Sequence, residues 1–189
     1  PDFVAAPAGS WKSLIGPDYL AARARLIGPQ SMQVASPGRP SPKAAAHSPM
    51  PEQVEYGTSH LSIVDGDGNA LSMTSTIEDA FGARQMVGGF LLNNQLSDFS
   101  FTPTDDRGVP VANRVEPGKR PRSSMNPTLV LDKETGELVI SGGSPGGALI
   151  IHYTTKLLYA TLNWGLAPQP AIELPNFGSL NGPTLLEEG

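Results

Sequence analysis

Polar and apolar residues alternate along Ser59-His60-Leu61-Ser62-Ile63-Val64 and again along Ala70-Leu71-Ser72-Met73-Thr74-Ser75-Thr76. A period of two belongs to strands whose faces meet different surroundings. Between the runs lies Asp65-Gly66-Asp67-Gly68-Asn69, whose residues suit a reversal, so the pattern predicts a β-hairpin. A second hairpin is expected from Thr128–Asp132 and Leu138–Ser141, joined by Lys133-Glu134-Thr135-Gly136-Glu137. A third short strand, Phe90-Leu91-Leu92-Asn93, follows the glycines at 88 and 89. After Gly142-Gly143-Ser144-Pro145-Gly146-Gly147 the period changes. Ile150, Ile151, Tyr153, Thr154, Leu157, Leu158 and Leu162 recur at helical spacing and predict a helix ending near Gly165.

The segment before Thr58 has another texture. It holds nine of the 19 prolines, and Ser36-Pro37-Gly38-Arg39-Pro40-Ser41-Pro42 excludes a helix or a central strand. One short helix is expected from Pro17 or Asp18 to Ile27, stopped by Gly28-Pro29. The rest of the segment, through Pro51, reads as an extended connector, and residues 97–122 as a polar loop. Hairpin, strand, hairpin and long helix together predict an α+β fold, an antiparallel sheet with helices on a face.

Composition narrows the chemistry. A net charge of -5 and a pI near 5.1 argue against a nucleic-acid partner, which needs a basic field. The absence of Cys excludes disulfides, thiolate metal sites and cysteine nucleophiles. His47, His60 and His152 are too scattered to suggest a metal cluster, and no metal or organic cofactor is implied. No apolar stretch is long enough to span a bilayer. The opening Pro1-Asp2-Phe3-Val4 has neither an initiator Met nor a leader pattern, so the expectation is a start inside a larger product, with any signal segment upstream.

Hydroxyl, carboxylate and backbone chemistry remain. Thr58 stands after Gly57 at the junction of connector and hairpin. Cleavage of that bond would give it both a hydroxyl and an α-amine titrating near ~7.7–8.0, which can accept the hydroxyl proton; a plain turn is the competing reading. The glycine run opens onto a helix N-terminus, where unobstructed backbone N–H groups suit an oxyanion, or simply form a tight turn. Gln95 and Asp98, three positions apart, can share one side of a helical turn and suit an ammonium group, or lie in a solvated loop. Ser123 and Ser124, after Lys119-Arg120-Pro121-Arg122, offer hydroxyl donors for a carboxylate, or form a charged loop. Glu78, just past the second strand, reads by itself as a surface acid.

In order along the chain, Gly57-Thr58-Ser59-His60-Leu61-Ser62, Leu91-Leu92-Asn93-Asn94-Gln95 with Asp98-Phe99-Ser100, Lys119-Arg120-Pro121 with Ser123-Ser124-Met125, and Gly142-Gly143-Ser144-Pro145-Gly146-Gly147 resemble the small-subunit signatures of γ-glutamyltranspeptidases. The resemblance implies an N-terminal-nucleophile (Ntn) hydrolase with an αββα sandwich, here partial. It implies self-cleavage between Gly57 and Thr58, residues 1–57 as the tail of a large subunit, and residues 58–189 as a small-subunit core lacking its last strands. By the same resemblance Thr58 is the nucleophile, Thr76 orients it, and Gly146 and Gly147 form the oxyanion hole. Ser123 and Ser124 hold the substrate α-carboxylate; Gln95 and Asp98, with Glu78 alongside, bind its α-amine.

The implied substrates are γ-glutamyl compounds such as glutathione, with water or an amino acid or dipeptide as acceptor, in the periplasm or outside the cell. The family's carboxylate-binding Arg belongs to the large subunit, the implied partner, so the 189-residue piece alone is expected to be catalytically incomplete. Two alternatives remain open: a related acylase acting on glutaryl-cephalosporins or poly-γ-glutamate, and an unprocessed binding protein.

Overall fold

Asp65 closes the first hairpin. Its carboxylate accepts the amides of Asp67 and Asn69 at 2.9 and 2.8 Å and the Asn69 side-chain amide at 2.8 Å, while Gly68 takes a φ of 83° that other residues resist. The flanking strands, β1 (Thr58–Val64) and β2 (Ala70–Thr76), pair antiparallel with Thr58 opposite Thr76. This computed structural model describes residues 11–41, 47–51, 53 and 57–188. The chain divides into two compact units, one of Pro1–Gln53 with Leu96–Arg122, the other of Val54–Gln95 with Ser123–Gly189.

In the second unit, β3 (Met86–Val87) and β4 (Phe90–Leu91) form a small hairpin. Gly88 and Gly89, with φ of 61° and 87°, are its two-residue turn. The strand expected at Phe90–Asn93 therefore exists but is shorter, and the glycines join it to a partner strand that sequence pattern did not reveal. The hairpin of β5 (Thr128–Leu131) and β6 (Leu138–Gly142) follows as expected. Its turn is held by Asp132, which accepts the amides of Glu134 and Thr135 at 2.9 and 2.8 Å.

Close approaches at the end of β6 show what the second hairpin packs on. A Cβ on Gly142 would sit 3.1 Å from Leu157 of the long helix α2 (Ile150–Leu162), and one on Gly143 would sit 2.4 Å from the His60 ring in β1. The end of the second hairpin thus meets α2 at Gly142, and the residue after it meets the first hairpin. The hairpins are also tied by hydrogen bonds. Ser72 donates to the Gly142 carbonyl at 3.0 Å and accepts the Thr128 amide at 3.1 Å, and Ser141 donates to the Leu71 carbonyl at 3.2 Å.

In α2, Ile150, Thr154 and Ala160 are buried. Lys156, midway along α2, donates to the carbonyls of Ile172 and Leu174 at the end of α3 (Pro168–Glu173). The last pair is β7 (Phe177–Gly178) with β8 (Leu185–Leu186).

The first hairpin buries the face that composition alone would leave outside. His60, Ser72 and Thr74 are half-buried, whereas Leu61, Ile63, Leu71 and Met73 are exposed. The polar set faces the second hairpin through the hydrogen bonds just described.

In the first unit, a 3-10 turn at Trp11–Ile15 precedes α1 (Pro17–Ala24), which has Pro at its start and Asp18 in its first turn. It ends earlier than Ile27 because the amides of Leu26 and Ile27 bond the carbonyls of Arg23 and Ala24, an i→i−3 tightening of the last turn. The described parts of the connector carry neither helix nor strand. Residues 97–122 wrap around buried Phe99 and Val111.

Candidate active site around Thr58

Strand β1 begins at Thr58, and pairing with β2 sets Thr76 across from it. The Thr76 hydroxyl donates to the Gly57 carbonyl oxygen at 2.6 Å and accepts the Glu78 amide at 2.8 Å. Because its oxygen is held from one side, its proton is directed at the carbonyl before Thr58. Glu78 itself has a φ of 71° and is buried; its carboxylate accepts the Asn94 side-chain amide at 2.5 Å. It is not the surface acid that sequence alone suggested.

Gly57 and Thr58 also line a cavity of about 500 Å³ with Ser144, Pro145, Gly146, Gly147, Tyr153 and Asn176. The volume suits a small ligand. The structure thus brings together Thr58 and the glycine run, two features separated by more than eighty positions in the chain. Gly146 has a φ of 133° and Gly147 of 55°, and the tight turn Gly147–Leu149 then enters α2. Among the described residues neither glycine amide donates to a backbone carbonyl, which leaves both available to an oxyanion at a helix start. A Cβ on Gly146 would meet the Tyr153 ring at 2.6 Å, so this glycine is required both by backbone angle and by space.

A second cavity, about 390 Å³, is lined by Gly57 and Thr58 with Ser59, Ser75, Thr76, Ile77, Asp79 and Ala80. Thr58 is therefore reached from two open spaces. His60, two residues on, is hydrogen-bonded to Thr74 at 2.8 Å and Ser62 at 3.1 Å, and desolvation lowers its pKa from 6.5. It lines neither cavity.

The remaining expected residues are placed as follows. Gln95 opens, and Asp98 closes, one 3-10 turn, as their spacing suggested. Asp98 is buried and belongs to the first unit. Ser123 is exposed and accepts the Met125 amide at 3.2 Å; Ser124 is half-buried. Neither serine lines the two cavities at Thr58. Sequence reading counted Tyr153 only as part of the apolar stripe of α2 and did not single out Asn176. Helical spacing gives no sign that a stripe residue reaches back to the glycine run.

Among the described residues no group of His, Asp and Glu is arranged to hold a metal ion.

The γ-glutamyltranspeptidase family model matches residues 1–188. This chain belongs to that family. It is 36% identical over 187 residues to the glutathione hydrolase proenzyme of Pseudomonas sp. (strain A14), covering 94% of this chain and 30% of the relative. The glutathione hydrolase proenzyme of Escherichia coli (strain K12) matches with the same identity and coverage. The chain thus spans 30% of the length of these curated relatives. Among solved structures, the γ-glutamyltranspeptidase from Pseudomonas nitroreducens complexed with L-DON superposes with a TM-score of 0.55 at 36% identity, covering 64% of each chain. The Ntn-hydrolase type expected from the motifs is therefore the fold of this chain, with paired antiparallel hairpins and a helical layer.

Proposed function

We propose that the protein of which this chain forms part is a γ-glutamyltransferase and glutathione hydrolase that makes its own nucleophile by cutting Gly57–Thr58. The observation that carries this is the Thr76 hydroxyl aimed at the Gly57 carbonyl oxygen, 2.6 Å away, at the start of the strand that bears Thr58. In the cut, the Thr58 hydroxyl oxygen attacks the Gly57 carbonyl carbon, and Thr76 stabilises the charge growing on its oxygen. The C–N bond breaks, the nitrogen takes the hydroxyl proton, and an ester joins Gly57 to Thr58. Water hydrolyses the ester, leaving a carboxylate on Gly57 and a free α-amine on Thr58. Gly57 presents no side chain against the attacking atom.

In turnover that α-amine accepts the Thr58 hydroxyl proton as the oxygen attacks a γ-glutamyl carbonyl. The Gly146 and Gly147 amides face the developing oxyanion, supported by their place on the same cavity as Thr58. The leaving amine departs with the proton, and water or an amino acid or dipeptide amine resolves the acyl-enzyme. Ser123 and Ser124 are assigned to the substrate carboxylate, and Gln95, Asp98 and Glu78 to its ammonium. The family motifs support those assignments, and the charge types suit a zwitterionic head. A large subunit supplies the remaining carboxylate ligand.

None of the helices among the described residues is long and apolar enough to cross a membrane. A periplasmic or extracellular site of action is the reading that accords with the family.

The test is transfer from a γ-glutamyl anilide by the full-length protein, with and without a dipeptide acceptor. Anilide release that depends on Thr58 and yields a γ-glutamyl dipeptide supports the reading. Release of glutaryl but not γ-glutamyl groups would overturn it in favour of an acylase.

A further inference from the structure

The covered face of the first hairpin is a ladder of polar cross-strand pairs. The register sets Ser62 against Ser72, His60 against Thr74 and Thr58 against Thr76, so the pairs follow one another toward the proposed nucleophile. Residues two apart on a strand share a face, which puts His60 on the same face as Thr58. The His60 ring is held at both nitrogens: Nδ1 lies 2.8 Å from the Thr74 hydroxyl and Nε2 lies 3.1 Å from the Ser62 hydroxyl. Both bonds lie within the hairpin, so its own strands fix the position of the ring.

The exit from β6 runs over this ladder. Ser72 donates to the carbonyl of buried Gly142 at 3.0 Å. At the next residue, backbone and ring meet directly: a Cβ on Gly143 would stand 2.4 Å from His60 Cε1, 2.6 Å from Nδ1 and 3.0 Å from Nε2. The ring edge between the two anchored nitrogens is therefore the surface on which Gly143 rests. Gly143 is not among the glycines of positive φ, so the ring, and not the backbone angle, excludes a side chain here. Three residues further on the run reaches Gly146, which with Gly147 lines the same cavity as Thr58. His60 thus stands two residues from Thr58 along β1 and directly under the start of the glycine run.

We propose that His60 is a positioning residue, whose ring sets the height of Gly143 above β1 and through it the separation of the Gly146 and Gly147 amides from the Thr58 hydroxyl. It takes no part in proton transfer, because it lines neither cavity at Thr58 and both its nitrogens are engaged within the hairpin. Without the ring the run can sag toward β1; with a methyl on Gly143 it is pushed away. Either displacement moves the donors that face the oxyanion, and turnover is sensitive to such misplacement. Self-cleavage is served differently, because Thr76 and not the glycine run reaches the Gly57 carbonyl. The role of His60 rests on the reading of Thr58 as nucleophile and of Gly146 and Gly147 as oxyanion donors.

The test is a double-mutant cycle in the full-length protein, measuring turnover of a γ-glutamyl anilide and the rate of precursor cleavage for each variant. His60→Ala and Gly143→Ala are each expected to lower kcat roughly tenfold or more, with KM and the cleavage rate little changed. In the double variant the added methyl occupies space that the ring has left. The combined loss in kcat should then be at least about fivefold smaller than the product of the two single losses. His60→Gln keeps bulk and a hydrogen-bonding end against Gly143 and should hold kcat within about threefold of the unaltered protein, which judges the role even where Gly143→Ala fails to fold. A weaker coupling, a His60→Ala variant with unchanged kcat, a His60→Gln variant as slow as His60→Ala, or cleavage that slows in step with kcat would each overturn the positioning role and leave Thr58 untouched. Activity that survives in Thr58→Ala would overturn the reading of function, and this role with it.

Discussion

The Thr76 hydroxyl and the Gly57 carbonyl oxygen lie 2.6 Å apart, with the Thr76 oxygen anchored by the Glu78 amide. Strand pairing alone puts Thr76 beside Thr58, but the positive φ at Glu78 turns the chain so that its amide meets the hydroxyl. Thr76→Val keeps the shape and removes both bonds. A time course of precursor cleavage should slow roughly tenfold or more in that variant, since one charge-stabilising donor is lost. Thr76→Ser should restore the rate to within a few-fold. Equal rates in all three would detach Thr76 from the cleavage.

Gly146 has no room for a side chain and a backbone angle that others resist. Gly146→Ala should therefore disturb the amides at the cavity. The expected loss is about 10²–10³-fold in kcat, with the donor KM little changed, measured on processed enzyme. Strain of this kind costs about 1–3 kcal/mol, so the variant should also melt earlier.

His60 titrates below its ordinary value because burial against Gly143 disfavours its cation. Between the folded and unfolded values the unfolded chain binds the extra proton. Stability should be fully present above pH 6.5 and decline as pH falls through 6.5 toward the folded value. An NMR titration of the ring should show a midpoint under 6.5, and His60→Gln should flatten that part of the stability profile. A midpoint above 6.5 would contradict the burial.

Ser72 joins the hairpins by bonding Gly142 and Thr128 at once. Ser72→Ala leaves that carbonyl and amide without their partner, and unfolding in denaturant should show a loss of about 1–3 kcal/mol. A change of a few tenths would mean that water replaces the hydroxyl.

Local chemistry made much of this legible in sequence. Asp65 and Gly68 declare a turn, the alternation on either side declares its strands, and Thr58 falls at the first strand position. The helical stripe after Gly147 likewise marks α2. What escaped depends on contacts between distant positions. Alternation marks two faces in β1 and β2 but does not say which is covered, and here hydrogen bonds to β6 cover the one with His60 and Ser72. The Met86–Val87 strand is too short to leave a period. Ser48 and Gln53 meet the 97–113 loop largely at its backbone groups, which every residue possesses, so no pattern in the connector announced it. Asn94 beneath Glu78 and Tyr153 against Gly146 belong to the same class. Gln95 and Asp98 share one turn, which their three-residue spacing allowed without deciding against a solvated loop.

The most direct test of the account is intact mass and N-terminal sequencing of the full-length protein beside a Thr58→Ala control. The account predicts two polypeptides from the unaltered protein, the smaller beginning Thr58-Ser59-His60, and one unbroken chain from the control. A single chain from both, or the same cut in both, would contradict Thr58 as the nucleophile that releases itself.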